Sequence, residues 1–147
     1  MDRVQFERLR DLDGKVIQVD IRLLEREEHR PFLSADEIRI ENTLGHEAKL
    51  NIRYNPRRGS TTFNVCVTGI GPICRLDVNG TVHGKCGRTH KHFLLTPLCP
   101  ENSLHDGVEA RSELEGQSVK ALFTTFCTMA RIRHDGNFIL PDEWEGG

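Results

Sequence analysis

The fold is decided by the stretch from Ile73 to Leu95, which reads Ile-Cys-Arg-Leu-Asp-Val-Asn-Gly-Thr-Val-His-Gly-Lys-Cys-Gly-Arg-Thr-His-Lys-His-Phe-Leu-Leu. Its first part, Ile73 to Val78, has the alternation of a half-buried strand. Asn79-Gly80 is the strongest two-residue hairpin signal in the chain. Gly84 to Gly87 interrupts regular pairing, and a strand is predicted again from Thr89 to Thr96. The stretch therefore predicts neighbouring strands of an antiparallel sheet.

Similar alternation predicts further strands before this stretch. They are Lys15 to Leu23, Glu37 to Glu41, Ala48 to Tyr54 and Thr62 to Thr68. Segments rich in charged residues, glycine and proline separate them, as is typical of turns. At the N-terminus, Asp2 to Leu12 places apolar residues at helical spacing and predicts a short amphipathic helix.

After the stretch, apolar spacing predicts one longer helix. The residues recur at i, i+3, i+4, i+7 and i+11, and they are Val119, Leu122, Phe123, Phe126 and Ala130. Ser112 and Glu115 have the spacing of a capping box ahead of this helix. The tail from residue 133 to residue 147 is polar and acidic around Phe138 and Trp144, and is either docked or disordered.

These elements predict an α+β fold. A mainly antiparallel sheet of about six strands would be packed on one face by the C-terminal helix, with the short helix at the N-terminus. We predict a single domain over residues 1–132 and an acidic C-terminal tail over residues 133–147. The sequence has no G-x-G-x-x-G, P-loop or G-x-S-x-G motif. It therefore gives no support to a glycine-rich phosphate-binding loop of a nucleotide-binding protein, or to a serine hydrolase.

Composition narrows the class of protein. The 147 residues are 37% hydrophobic and 29% charged, and no apolar run approaches the roughly 20 residues of a membrane helix. The N-terminus lacks the apolar core of a signal peptide, so a cytoplasmic protein without a membrane partner is expected. The net charge of −2 does not match nucleic acid overall, although local basic clusters can still contact phosphates.

Five cysteines, with no C-x-x-C pair, suggest reduced thiols in an intracellular protein. Three of them fall where core residues are expected, namely Cys66, Cys74 and Cys127, so we interpret them as packing residues.

The candidate functional site of the sequence consists mainly of histidines. His90 and His92 are two residues apart on a predicted strand, so both belong to one face. His83 and Cys86 lie just upstream in the glycine-rich turn. Together, His83, Cys86, His90 and His92 have the ligand types that zinc favours, and Asp77 could serve as a ligand, a base or an orienting group. The spacing matches no well-known zinc motif. The alternative is that His90 and His92 simply form a polar face of the strand and make their hydrogen bonds to water and neighbouring side chains.

The second interpretation is a metal-free active site. His90 and His92 would act as an acid/base pair, while Arg75, Lys85, Arg88 or Lys91 would hold a phosphate. RNA cleavage needs little more than a base for the 2′-hydroxyl, an acid for the leaving oxygen and a cation. Alternatively, Arg75 and Asp77 form ionic contacts with a neighbouring strand that contribute little if exposed.

The motif Arg-Leu-Asp-Val-Asn-Gly-Thr-Val-His followed by Thr-His-Lys-His-Phe resembles an uncharacterised family of small bacterial and phage-borne proteins. The matching positions are Arg75, Leu76, Asp77, Gly80, His83, His90 and His92. The similarity extends from about Arg53 to Phe126 and Cys127. It departs after the first histidine, where the family has Asn-Pro and an acidic residue and this chain has Gly84 to Gly87. The resemblance implies a bacterial or phage setting and no particular activity.

Two functional hypotheses follow. The first is a small cytoplasmic protein whose histidine-centred site binds or cleaves RNA or a phosphorylated ligand, toxin-like or acting in phage–host conflict. His90 and His92 would be the acid/base or ligand pair, His83 a third participant, Asp77 the orienting group and Arg75 the phosphate contact. The second is a non-catalytic interaction module, such as a phage-encoded inhibitor of a host defence complex, with a host or phage protein as its partner.

Overall fold

The computed structural model describes residues 8, 14–30, 32–78, 90–92, 108–110 and 112–141. Its elements are strands β1 (Lys15–Ile17), β2 (Ile21–Arg22), β3 (Leu24–Glu25), β4 (Leu33–Ile40), β5 (Ala48–Asn55), β6 (Ser60–Val67), β7 (Gly71–Val78), β8 (His90–His92), β9 (Val108–Ala110), β10 (Ile132–His134) and β11 (Phe138–Ile139), and helix α1 (Val119–Ala130). Short 3₁₀ turns cover Glu27–His29 and Ser112–Leu114.

The main sheet runs in the order β3-β4-β5-β6-β7-β8-β9, and every neighbouring pair is antiparallel. The prediction of an α+β fold with a mainly antiparallel sheet and a helix near the C-terminus is confirmed. The count of about six strands is wrong, because the described part of this sheet has seven. Strands β3 and β9 are too short to show alternation in the sequence. The stretch from Lys15 to Leu23 contributes no strand to this sheet, although Val16 exchanges two backbone hydrogen bonds with Glu41, the residue after β4.

That N-terminal stretch pairs instead with the end of the chain. Strand β1 is parallel to β10, and β2 is parallel to β11. The first part of the C-terminal segment is therefore docked, which is one of the two alternatives that the sequence left open for it. The Ile21 N–H donates to the Asn137 carbonyl at 2.8 Å, and the Leu23 N–H donates to the Ile139 carbonyl at 3.0 Å. These contacts join residues more than a hundred positions apart, so local patterning could not predict them.

Helix α1 begins later than the predicted capping box. The Ser118 hydroxyl accepts the Ala121 N–H at 3.2 Å and caps the helix. The prediction that Ser112 and Glu115 cap it is wrong, because Ser112–Leu114 forms a separate 3₁₀ turn. The predicted apolar face is confirmed: all five of its residues are buried. At the C-terminal end, Arg131 takes the left-handed conformation with φ 57°, which typically ends a helix.

The core lies between α1 and one face of the main sheet. Phe63 on β6 is fully buried and stacks on Phe126, with ring centroids 5.1 Å apart. Phe123 lies 6.1 Å from Phe63 and stacks at 4.6 Å on Phe138 of β11. One aromatic cluster thus ties the helix to the sheet and to the docked C-terminal segment. Of the helices that the structure describes, none is long and apolar enough to cross a membrane.

Several predicted features fall outside the described residues. They are the N-terminal helix except for Arg8, the Asn79-Gly80 turn, the strand from Thr89 to Thr96 except for β8, and the tail beyond Pro141.

Gly136 allows the docked C-terminal segment to approach the N-terminal strands. A Cβ atom at this position would lie 2.8 Å from the Val19 carbonyl oxygen and 3.0 Å from His134 Nε2. His134 Nε2 also lies 2.7 Å from the same oxygen. Gly136→Ala is therefore expected to lower the free energy of unfolding by about 1–3 kcal/mol, because backbone atoms must move apart. Urea denaturation measures this loss.

The matched control is Asp135→Ala. This neighbouring carboxylate is exposed and pairs with exposed Arg133 at 3.0 Å, so its loss should change the stability by no more than about 0.5 kcal/mol. Equal stability of the two variants would show that the close approach at Gly136 does not hold.

Candidate functional site

The face of the main sheet opposite α1 carries polar side chains. Alternate residues of β5, β6 and β7 point away from the core and lie on this face. The strand register aligns them in two polar rows, Arg53–Thr62–Asp77–His90 and Asn51–Asn64–Arg75–His92. Each row ends at one of the two histidine positions that the sequence singled out.

Asp77 is the anchor of the first polar row. It is only 4% exposed, and its Oδ1 accepts hydrogen bonds from the Thr62 hydroxyl at 2.8 Å and from Arg75 Nε at 3.2 Å. A buried carboxylate needs such donors to offset its lost hydration. Arg75 and Asp77 also pair with each other along β7, in addition to the cross-strand contacts that the sequence suggested as one alternative for them. These hydrogen bonds hold the Asp77 carboxylate in place on β7, next to β8.

Arg75 is positioned by the same contact. Its guanidinium has five N–H donors, and the bond to Asp77 uses the one on Nε. Its side chain is 31% exposed. In the same polar row, Asn64 Oδ1 is buried and accepts no hydrogen bond from any described residue. Buried acceptors are rarely left without a donor. A further hydrogen-bond donor would therefore be stabilised next to Asn64 Oδ1.

The register relates the histidine positions to this pair. His90 is paired with Asp77, and His92 is paired with Arg75. Directly paired positions of an antiparallel ladder are nearest cross-strand neighbours. The prediction that His90 and His92 lie on a strand is confirmed for β8. Four other predicted site residues lie outside the described residues, namely His83, Lys85, Cys86 and Arg88.

The remaining charges of this face are largely paired. Arg53 donates a hydrogen bond to Asp36. Lys49 binds Glu37 and lies 3.5 Å from Glu47, and the hydrogen bond and charge of Glu37 raise the pKa of Lys49. The part of this face that the structure describes is therefore not a broad cationic surface. An anion-binding site on it would involve only a few residues.

Two of the three core cysteine predictions are confirmed. Cys74 and Cys127 are buried, whereas Cys66 is only half-buried and lies opposite Lys49 on the polar face. Burial raises the pKa of the Cys66 thiol, and the positive charge of Arg75 partly opposes this effect. Burial also raises the pKa of Cys127 to about 12. Both thiols are therefore protonated at neutral pH and are poor nucleophiles.

Zinc binding stays a prediction. Among the residues that the structure describes, no group of three or more histidine, cysteine, aspartate or glutamate residues could hold a metal ion. The proposed ligands His83 and Cys86 are not among those residues.

Sequence reasoning missed Thr62 as part of the site. Its hydroxyl donates to Asp77 Oδ1 at 2.8 Å, a shorter hydrogen bond than the one from Arg75 Nε at 3.2 Å. Thr62 stands on the polar side of the β6 alternation, which could have been noticed, but its alignment with Asp77 depends on the strand register.

No protein-family model, curated protein or solved structure matches this chain.

Proposed function

We propose that this chain binds and cleaves RNA, or acts on another phosphorylated ligand, where β7 pairs with β8. The observation that carries the proposal is the register of these strands, which pairs His90 with Asp77 and His92 with Arg75. Two imidazoles and a guanidinium can supply the base, the acid and the cation of metal-free phosphoester cleavage, and a buried carboxylate can orient the base.

In RNA cleavage, His90 would act as the base and take the proton of the 2′-hydroxyl. The 2′-oxygen forms a bond to phosphorus while the bond from phosphorus to the 5′-oxygen breaks. His92 would act as the acid and give its proton to that leaving oxygen. The products are a 2′,3′-cyclic phosphate and a 5′-hydroxyl, so the protons balance. Asp77 would orient His90 and stabilise its protonated form, and Arg75 would stabilise the charge on the phosphate oxygens.

The paired charges of the polar face favour contact with a single phosphate rather than with a long nucleic-acid backbone. Binding along a backbone requires many unneutralised cations, whereas Arg53 and Lys49 already contact carboxylates. Further cations would come from Lys85 or Arg88, with His83 as a third histidine. Lys91, which the sequence also suggested as a phosphate contact, is paired with Leu76 and alternates with His90 and His92, so its position belongs to the opposite face of the sheet. We further propose that the role is toxin-like and belongs to phage–host conflict, in keeping with the bacterial or phage setting that the sequence resemblance implies.

The test is cleavage of a short fluorogenic RNA by the full chain and by the His90→Ala/His92→Ala variant. We expect the double variant to lose about 10²- to 10⁴-fold in rate, which is the usual contribution of acid/base catalysis. His46→Ala is the matched control, because His46 lies at the opposite end of the sheet and should leave the rate unchanged. A substrate with a 2′-deoxy linkage should not be cleaved.

A chelator separates the two interpretations of the histidines. Cleavage that survives dialysis against EDTA supports acid/base catalysis, whereas cleavage restored only by zinc supports the ligand set of His83, Cys86, His90 and His92. Equal cleavage by the wild type and the double variant would contradict both. A chain that neither cleaves RNA nor binds phosphate would instead favour the interaction module, with a host or phage protein as its partner.

A further inference from the structure

The turn between β5 and β6 carries two exposed arginines, Arg57 and Arg58. We call this turn, residues 56–59, the arginine turn. Within the part of the chain that the structure describes, no carboxylate pairs with either guanidinium. The two arginines therefore differ from Arg53 and Lys49 of the polar face, whose charges contact carboxylates.

The buried side chain of Asn55 holds the arginine turn in place. Asn55 is 5% exposed, and its Oδ1 accepts the Arg57 N–H at 3.0 Å and the Arg58 N–H at 3.4 Å. The Gly59 N–H donates to the Asn55 carbonyl at 2.8 Å, and Gly59 has φ 68°, a left-handed conformation that favours glycine. Because the backbone of the turn is already fixed, less conformational entropy is lost when its side chains bind a ligand.

The arginine turn lies at the same end of the sheet as the proposed phosphate site. Thr62 of β6 is paired with Asp77, which is in turn paired with His90. Strand β6 begins two residues before Thr62, at Ser60, directly after the arginine turn. At roughly 3.4 Å per residue, the turn begins about 7 Å beyond the pair of Thr62 with Asp77. It is therefore close to the proposed site without belonging to the two polar rows.

We infer that the arginine turn binds a second phosphate of the substrate, so that the substrate is an RNA strand rather than a small molecule with one phosphate. The inference rests on the proposed function, which places the reacting phosphate where β7 pairs with β8. An RNA strand carries further phosphates next to the reacting one, and arginine binds phosphate oxygens through two parallel N–H groups. The polar face offers one phosphate contact, and the arginine turn adds another just beyond it.

Contacts to phosphates do not read the bases. The arginine turn should therefore strengthen the binding of RNA strands of different sequence to the same extent.

The first test compares cleavage of the tetranucleotide UpUpUpU with cleavage of the dinucleotide UpU, which has a single phosphate. We expect the wild type to show an about tenfold lower KM for the tetranucleotide. In Arg57→Gln/Arg58→Gln, this advantage should be lost through a higher KM, while kcat for the tetranucleotide stays within about twofold. Both side chains are exposed, so the variant should fold like the wild type.

The second test shows whether the contact is made to phosphate. Binding of the 2′-deoxy tetranucleotide, which lacks the hydroxyl that cleavage needs, is measured at several salt concentrations. In Arg57→Gln/Arg58→Gln, the slope of log affinity against log salt should become shallower by about 0.7 for each lost phosphate contact. Arg57→Lys/Arg58→Lys keeps both charges and should keep the wild-type slope. The control is Arg39→Gln, which removes an exposed cation near the opposite end of the sheet and should leave the affinity unchanged.

The outcomes separate this inference from the proposed function. Cleavage of both substrates with equal KM, or an unchanged KM and salt slope in Arg57→Gln/Arg58→Gln, would overturn the inference and leave the proposed function standing. Failure of the wild type to cleave either substrate would contradict the proposed function, and the inference would be overturned with it.

Discussion

Phe126→Ala is expected to lower the free energy of unfolding by about 3–5 kcal/mol, the usual cost of removing a buried aromatic ring. Phe126 is fully buried and stacks on Phe63 with ring centroids 5.1 Å apart. The substitution therefore removes the contact that holds α1 on the sheet. Chemical denaturation monitored by circular dichroism measures the loss.

Thr124→Ala is the control for this variant. It lies on the same helix, and its side chain is exposed, so the change in stability should stay within about 0.5 kcal/mol. A loss of less than about 1 kcal/mol for Phe126→Ala would contradict the packing of α1 against β6.

Asp77→Ala is expected to lower the free energy of unfolding by about 2–4 kcal/mol. The substitution leaves the Thr62 hydroxyl and the Arg75 guanidinium without their acceptor. Burial makes this costly, although the 31% exposure of the Arg75 side chain keeps the loss below that of a fully buried ion pair. Denaturation of the variant beside the wild type measures it.

Asp77→Asn separates stability from function. The amide keeps the shape and one acceptor oxygen, so we expect a smaller loss of about 1–2 kcal/mol. RNA cleavage should nevertheless fall as far as in Asp77→Ala, because a neutral amide cannot stabilise a protonated His90. Wild-type cleavage by the folded asparagine variant would mean that Asp77 has a purely structural role.

Strong local periodicity explains why α1 and the central strands could be predicted. The five residues of the predicted helix face are all buried, and β5, β6 and β7 follow their alternation with small changes at the ends. Strand β4 begins earlier than predicted, because a bulge between Ala35 and Ile38 breaks the period. Glu37, inside this bulge, has φ 59°, a conformation that its sequence does not suggest.

Long-range pairing explains what could not be predicted. The alternation of Lys15 to Leu23 indicated one continuous strand, yet its residues form β1 and β2 against parallel partners at the other end of the chain. The candidate site likewise combines features that local sequence predicts with features that depend on long-range pairing. The sequence placed Arg75 and Asp77 on one face, but only the register shows that Thr62 supports Asp77 and that His90 and His92 are paired with Asp77 and Arg75.

The most direct measurement is a titration with inorganic phosphate, followed through the histidine ring signals in two-dimensional NMR spectra. His90 and His92 would be assigned with single His→Gln variants, and His46 would serve as the internal control. We expect both the His90 and the His92 signals to shift along one saturable curve while His46 stays unchanged, with the shifts lost in Arg75→Gln. Phosphate-induced shifts that spare His90 and His92, or that affect His46 equally, would contradict a phosphate site at the pairing of β7 with β8.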